Sequence, residues 1–436
     1  MRLCTIGAGY VGLVTAAGLA ETGNRVLCVD SDPPKIERLG RGEIPIYEPG
    51  LGELVARNVA QGRLSFSTDV RGAIAASEIV FVAVGTPPRA DGAADLRAVD
   101  AVADAVASAA TSPTVLVLKS TVPVGTNARV RHIVREATHR IHVVSNPEFL
   151  KEGDAVADFL HPDRIVVGID KADEHARDCM SRLYHPFCLD RDRILWMEPA
   201  SAELTKYVSN TMLAMRVSFM NEIAGLCERV GADIHDVRKA VGADTRIGAE
   251  YLYAGPGYGG SCLPKDVQAL LYTANEHGIE LELAAATDRV NRRQKGVLLR
   301  KLEHHFDGFL HGRRIAVWGL AFKPRTDDVR ESPALTLVDA LISEGAQVVA
   351  HDPEAGSVAR AHFGSRVEIV DDAYDAASGA DALVLLTEWR QYQSPDFERL
   401  KDTMARPLLL DGRNIWSTYG LRKRGFVYDG IGVQGT

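Results

Sequence analysis

Apolar positions along this chain follow two rhythms. In the first half, short apolar runs at residues 3–6, 26–29, 79–84, 115–118, 141–144 and 165–169 are separated by Ala-rich stretches at 11–22, 96–109 and 127–137. Such runs suit strands buried on both faces, and their alternation with helical stretches predicts a parallel, doubly wound sheet. From about Ala200 the strand-like runs stop. Residues 202–230 carry apolar positions at helical spacing with no strong breaker except Gly225, which predicts one long helix; 234–241, 266–277 and 283–305 also read as helices. A second α/β series opens at Arg313, with strands at 315–319, 347–352, 381–387 and 407–411 and a helix at 334–344. The pattern divides the α/β chain into residues 1–199, a helical block 200–306 suited to a dimer interface, and residues 307–436.

The first turn narrows the chemistry. Gly7-Ala8-Gly9-Tyr10-Val11-Gly12 follows a strand and opens a helix, and the next strand ends at Asp30. Glycines there permit a tight turn and close approach of a pyrophosphate, whose charge meets the helix N-terminus. Asp30 suits the adenosine ribose hydroxyls and would repel a 2′-phosphate, so the turn predicts NAD rather than NADP. The fold class becomes two Rossmann-like doubly wound domains joined by a central helical domain with a long helix. Thr86 and Thr121 fall at later strand ends, where open α/β sheets bind ligands. Each would equally serve as a helix cap.

Composition excludes several partner classes. At 46% hydrophobic and 25% charged residues, the 436-residue chain matches ordinary globular proteins and is long enough for two or three domains. No apolar run approaches the roughly eighteen residues of a membrane span. The N-terminus runs straight into a strand, leaving no room for a signal peptide. Six scattered cysteines show neither disulfide framework nor metal spacing, which fits a reducing cytoplasm. The net charge of −8 speaks against nucleic acid and anionic membranes as main partners.

Hydride removal from an alcohol needs no thiol, so Cys262 adds something. It lies in Gly255-Pro256-Gly257-Tyr258-Gly259-Gly260-Ser261-Cys262-Leu263-Pro264-Lys265-Asp266, glycines leading into a helix whose first turn accepts proline. A helix N-terminus and an adjacent lysine both favour thiolate over thiol. Such a thiol can capture an aldehyde for a second oxidation. Cys4, Cys28, Cys179, Cys188 and Cys227 read instead as small buried hydrophobes. Glu203, Lys206 and Asn210, spaced by three and then four, share a face of the long helix, with Leu204, Val208 and Leu213 as apolar neighbours. A solvated face would show the same spacing; a buried one would place lysine and asparagine at a developing oxyanion. The segment Asn146-Pro147-Glu148-Phe149-Leu150-Lys151-Glu152-Gly153 adds two carboxylates and a lysine on a loop. Asp266 either orients a water or an ammonium, or complements the helix dipole.

Gly7-x-Gly-Tyr-Val-Gly12, Val84-Gly-Thr-Pro87, Ser120-Thr121-Val-Pro-Val-Gly125, Asn146-Pro-Glu-Phe-Leu-x-Glu-Gly153 and Gly259-Gly-Ser-Cys-x-Pro-Lys-Asp266 together resemble the UDP-glucose/GDP-mannose dehydrogenase family. Gly319-Leu-Ala-Phe-Lys-Pro324, Asp328-Val-Arg-Glu-Ser332 and Asp411-Gly-Arg413 extend the resemblance over essentially the whole chain. It implies that NAD takes hydride from C6 of a nucleotide sugar, that Cys262 holds the aldehyde as a thiohemiacetal, and that a second oxidation gives a thioester which water releases as the acid. It also implies that Lys206 and Asn210 steady the C6 oxygen, that Asp266 assists proton transfer through a water, that Glu148 serves thioester hydrolysis and that Glu152 is an acid/base candidate, with Thr121 beside them.

By the same resemblance, Phe149, Leu150 and Lys151 lie along the substrate, and Arg246 reaches the sugar site of a partner subunit, implying at least a dimer. Tyr251, Gly257, Lys323 and Arg413 match nucleotide-sugar positions; Lys35, Lys265 and Arg330 stand on the cofactor side. Tyr253 departs from relatives that carry lysine near the uridine. Asn146-Pro-Glu-Phe-Leu looks like relatives that take UDP-glucose or GDP-mannose rather than N-acetylated sugars, and between those two Ala202-Glu203-Leu-Thr-Lys206 and Arg246-Ile-Gly248 look more like the UDP-glucose branch. A GDP-mannose 6-dehydrogenase and a non-catalytic NAD- or nucleotide-sugar-binding regulator are the alternatives.

Overall fold

Along the strands of the N-terminal sheet, successive side chains enter two different cores. Leu3, Phe81 and Val117 pack on one face with Leu13, Val14 and Leu19, while Cys4, Val80 and Leu116 pack on the other with Val99, Val102 and Val130. A sheet covered on both faces needs apolar residues at every strand position, which explains the unbroken runs. The computed structural model describes residues 1–89 and 91–433. It resolves into two compact units, one of Met1–Ser209 with Asn275–His277, the other of Asn210–Ala274 with the chain from Gly278 onward.

The first unit holds an eight-stranded sheet made of β1 (Arg2–Ile6), β2 (Arg25–Val29), β3 (Leu64–Ser67), β4 (Ile79–Val82), β5 (Thr114–Leu118), β6 (Ile141–Ser145), β7 (Ile165–Gly168) and β8 (Ile194–Met197). Their order is β3-β2-β1-β4-β5-β6-β7-β8. Order reverses beside β1, so the C-terminal ends of β1 and β4 flank the crevice where such sheets bind ligands. The expected parallel pairing has one exception: β6 meets β7 antiparallel through Ser145 and Gly168. A Cβ on Gly168 would lie 2.6 Å from Ala202 Cβ, so only glycine lets the long helix approach there.

The second unit holds a six-stranded parallel sheet: β9 (Arg314–Trp318), β10 (Gln347–His351), β11 (Glu368–Ile369), β12 (Ala382–Leu385), β13 (Leu408–Asp411) and β14 (Val427–Gly430), in the order β11-β10-β9-β12-β13-β14. Strands β3, β8, β11 and β14 are additions to the sequence reading. All four lie at sheet edges; β3, β11 and β14 carry polar residues that weaken the apolar signal, whereas β8 is a four-residue apolar run. Among the described residues no strand falls between Met197 and Arg314. The predicted long helix is there as Pro199–Val230. The helix expected over 283–305 is two helices, Glu282–Gln294 and Val297–His305, because the chain breaks at Lys295 and Gly296.

Trp318, at the end of β9, anchors the second core. It stacks on Tyr392 with ring centroids 5.0 Å apart and meets Trp416 edge-on at 5.9 Å. Its indole N–H donates to the Ala373 carbonyl at 2.7 Å, so the buried polar end is satisfied. Trp318→Ala should therefore destabilise this unit by about 3–5 kcal/mol. The measurement is the denaturant midpoint, and an unchanged midpoint would contradict this packing account.

Candidate active site

The glycine turn after β1 is enforced by contact between backbones. Gly7 has φ +104°, and a Cβ there would lie 2.5 Å from the Ala83 carbonyl oxygen. A Cβ on Gly12 would lie 1.7 Å from the Gly7 oxygen, while one on Gly9 would meet nothing within 4 Å. Gly12 thus seats helix Tyr10–Glu21 against the turn, and Gly9 leaves its outer side open to a ligand. A cleft of about 450 Å³ opens here, lined by Gly7, Gly9, Asp30, Lys35, Val84 and Gly85 among others.

Asp30 at the end of β2 accepts the Ala8 N–H at 2.8 Å and Lys35 Nζ at 3.0 Å. Burial would raise its carboxyl, but the Ala8 N–H, Lys35 and the Asp32 N–H outweigh that and hold it below the ordinary value. A glycine cradle, a helix N-terminus and an ionised acid at the second strand end fit a dinucleotide. Thr86 and Thr121 come together at adjacent strand ends, where the Thr86 hydroxyl donates to the Thr121 carbonyl at 2.8 Å. Tyr10, a cofactor-side candidate, turns its hydroxyl to Glu48 and accepts the Gly153 N–H.

Beyond β6, the Asn146–Gly153 segment folds over buried charge. Lys206 Nζ lies 2.8 Å from Glu148 Oε1, and both side chains are about 95% shielded, being 4% and 5% exposed. The Leu150 N–H donates to the other oxygen at 2.6 Å. Burial alone would raise the Glu148 carboxyl; Lys206, the Leu150 N–H and Lys119 together pull it below the usual value. Phe149 presents its ring to Arg164, whose guanidinium carbon sits 3.9 Å from the centroid. A cavity of about 250 Å³ runs beside this segment, with Lys119, Glu148, Phe149, Leu150 and Lys151 in its wall. Lys151 is exposed and pairs with Asp158 at 3.3 Å, and Glu152 is half-buried.

The face of the long helix divides by residue. Glu203 is buried like Lys206 but turns to other partners: its carboxylate accepts the Gly125 and Asn127 N–H groups at 2.8 and 2.7 Å, capping helix Thr126–Ile133. Burial pushes its carboxyl up to about 7 despite those bonds. Leu204 and Val208, expected to help bury the lysine, are exposed because they lie around the helix from it.

In the second unit, Cys262 immediately precedes helix Leu263–Glu276, and its carbonyl accepts the Asp266 N–H at 2.9 Å. It is the cap residue itself, half-buried. The glycines before it are spatial necessities. A Cβ on Gly259 would come 2.5 Å from the Glu331 oxygen, and one on Gly260, at φ +83°, would come 2.7 Å from the Phe322 ring. Asn291 clamps the loop through the Tyr258 N–H and carbonyl at 2.8 and 3.0 Å. Asp266 is buried, with Asn210 Nδ2 at 2.6 Å and Lys265 Nζ at 2.7 Å on its two oxygens. Arg413 reaches the Leu386 and Phe322 carbonyls at 2.7 and 3.0 Å, beside the loop at Gly255.

Three models of one family match the chain in sequence order. The family's NAD binding domain matches residues 1–188, its central domain 200–293 and its UDP binding domain 316–418. The chain belongs to the UDP-glucose/GDP-mannose dehydrogenase family. It is similar to the UDP-glucose 6-dehydrogenase of Pseudomonas aeruginosa, 48% identical over 99% of this chain and 97% of that one. The enzyme of the same name from Rhizobium meliloti is 49% identical over 99% of each chain. A solved UDP-glucose dehydrogenase from the archaeon Pyrobaculum islandicum superposes with a TM-score of 0.92 at 41% identity, over 99% of this chain and 98% of that one.

Several of the candidate positions are held by local partners. Arg246 is exposed and pairs with Asp244 at 2.6 Å, Tyr253 lies under the Arg238 guanidinium at 3.9 Å, and Arg330 pairs with Asp328 at 2.8 Å while its carbonyl accepts the Gly260 N–H. Tyr251 holds φ +60°, a strained value for a bulky residue, and Gly257 holds φ +107°. Lys323 is half-buried, with its ammonium 5.3 Å from the Phe322 ring centroid. Two buried participants escaped the sequence reading. Glu48 accepts the Gly153 and Ala155 N–H groups at 2.7 and 2.9 Å, and Lys119 contacts Asn146 at 3.1 Å. Lys119 stood beside the Ser120-Thr121 motif, yet nothing local marks it as buried.

Gly260→Ala should displace the Cys262 loop, since both its φ and the Phe322 ring oppose a side chain. If about 1–3 kcal/mol of overpacking falls on the transition state, turnover drops roughly 5- to 160-fold. Wild-type turnover by this variant would show that the loop tolerates the methyl group.

Proposed function

We propose that this chain is an NAD-dependent UDP-glucose 6-dehydrogenase, oxidising C6 by four electrons to give UDP-glucuronate. The observation that carries the reading is Cys262 capping a helix within a glycine loop that no larger residue could form. An alcohol dehydrogenase that stops at the aldehyde has no use for such a thiol. The full-length likeness to proteins named for UDP-glucose favours that sugar over GDP-mannose. The buried, fully partnered Lys206, Asn210 and Asp266 speak against a non-catalytic regulator.

Bound NAD supplies the hydride acceptor, and Gly7, Gly9, Tyr10, Val11, Gly12, Asp30, Lys35 and Thr86 are the residues we assign to its first-unit side, with Lys265 and Arg330 as further candidates. The chain's own groups divide the remaining work. Lys206 and Asn210 steady the C6 oxygen as its proton leaves, with Asp266 holding a water for that proton. Cys262 Sγ adds to the aldehyde carbon as its proton passes to the C6 oxygen, giving a thiohemiacetal. This becomes the thioester by losing the C6 hydrogen as the second hydride, for which a second NAD would be the acceptor, and the hydroxyl proton to solvent. Water then adds to the thioester, its proton passes to the Glu148 carboxylate, and the C6–Sγ bond breaks to restore the thiol. Glu152 and Thr121 are assigned as further acid/base and positioning candidates. Phe149, Leu150 and Lys151 follow the sugar, while Tyr251, Tyr253, Gly257, Lys323 and Arg413 are assigned to the nucleotide portion.

The three-part division at 1–199, 200–306 and 307–436 is proposed with these roles. A homodimer through the central helical region is supported by Met212, Phe219 and Leu226, exposed apolar residues seven apart on the long helix, and by Val230 beyond them. Arg246 would then serve the partner's sugar site. No helix among the described residues is long and apolar enough to cross a membrane, and we assign the enzyme to the cytoplasm.

Purified protein should form two NADH per UDP-glucose consumed and prefer that sugar in kcat/KM over GDP-mannose. One NADH per sugar would end the four-electron reading, and a GDP-mannose preference would reassign the substrate. Cys262→Ser should lose steady acid production while retaining a trapped or partly oxidised first-step product; near-normal UDP-glucuronate formation would exclude sulfur catalysis. Sedimentation equilibrium should give at least twice the 47.2 kDa chain mass. A monomer at assay concentration would remove the dimer.

A further inference from the structure

Lys119 is a fully buried cation without an ion-pair partner of its own. Its Nζ donates to Asn146 Oδ1 at 3.1 Å, and among the described residues no carboxylate lies within ion-pair distance. The same Asn146 oxygen accepts the Tyr184 hydroxyl at 2.5 Å, and its amide donates to the Val166 carbonyl at 2.7 Å, so the acceptor is fixed from three sides. A buried charge is costly unless another charge compensates it. The compensating group here is Glu148, which lines the same cavity as Lys119 and acts on it through space. Burial pulls the Lys119 ammonium down to about 8; Glu148 opposes that and Lys206 adds to it.

We propose that Lys119 is a positioning residue for Glu148, holding that carboxylate ionised when Lys206 turns from it to the reacting oxygen. The inference rests on the function proposed above. In the resting arrangement Glu148 has Lys206 at 2.8 Å. Once the substrate oxygen competes for that ammonium, a buried carboxylate with a single cation would take up a proton and lose its ability to accept one from water. Lys119 cannot follow the substrate, because Asn146 holds it, so its charge stays in place through the cycle. The remaining charged or titratable groups around the cavity are Lys151, Asp158, His161, Asp163 and Arg164, with Tyr184 in the wall. Lys151 and Asp158 pair with each other, and Arg164 lies over Phe149.

The test is the pH profile of kcat for full-length Lys119→Gln, which can keep the Asn146 hydrogen bond but not the charge. Removing a cation raises the Glu148 carboxyl, so the acid limb should move to higher pH by about one unit or more. Intact-protein mass spectrometry near the new limb should show the acyl-enzyme accumulating. Lys119→Arg, which keeps the charge, should restore the limb toward wild type. A purely structural role would lower kcat at every pH and leave the limb in place. An unmoved limb in Lys119→Gln, or an equal shift in Lys119→Arg, would overturn the proposal. Because the midpoint does not depend on the amount of active enzyme, a partly folded preparation still gives the answer, and Lys119→Met gives the same readout if the Gln variant does not fold. Failure of the wild type to turn over UDP-glucose would instead sink the proposed function.

Discussion

Burying a carboxylate is the demand around which the first unit's site is organised. Glu148 lies where water cannot solvate it, and a buried charge left alone would protonate. The structure answers with Lys206 at 2.8 Å and the Leu150 N–H at 2.6 Å. Each answer fixes something else. Lys206 ties one turn of the long helix to the loop after β6, and the Leu150 contact folds that loop back on Glu148, the first of its two acids. Removing either partner of such a pair costs about 3–5 kcal/mol, because the survivor keeps its desolvation penalty. The loop is therefore held by electrostatics where most loops depend on turn geometry alone.

The second unit meets a different constraint, steric rather than electrostatic. The segment before Cys262 passes so close to Glu331 and Phe322 that methyl groups at Gly259 and Gly260 would penetrate them. Asn291 and the Arg330 carbonyl then supply backbone partners that the irregular loop cannot make for itself. The result places a thiol at a helix start with little freedom to retreat. Asp266, one turn along, is held by Asn210 and Lys265 together, so Lys265's charge is shared with that carboxylate and not devoted to the sulfur.

Much of this was legible in the chain because glycine and buried strands leave strong marks. The turn from Gly7 to Gly12, the two α/β series and the helix from Pro199 could be read from spacing alone. What escaped has physical reasons. Strand β3 alternates Leu64 and Phe66 with Ser65 and Ser67, so no apolar run announces it, while β8 is an apolar run of four residues, Ile194–Met197, too short for spacing to tell strand from helix. The break at Lys295 and Gly296 interrupts a run that otherwise keeps helical spacing. Glu48 and Lys119 bind across 105 and 27 residues of chain, and no local pattern encodes a partner that distant. Glu203 shows the opposite failure: its spacing from Lys206 was visible, but it turns to cap a neighbouring helix, which periodicity cannot foresee.

The two constraints suit the two halves of the proposed chemistry. A thioester carrier must be held still, since a thiol that swings away after the first oxidation would release the aldehyde, and a sterically locked glycine loop does that without using charge. The hydrolytic carboxylate has the opposite requirement. It must stay ionised while protons move around it, which only fixed charge can secure in a buried site. Exchanging the devices would fail on both counts. A flexible charged loop would let Cys262 drift, and a rigid apolar pocket around Glu148 would raise its carboxyl and leave the thioester without a base.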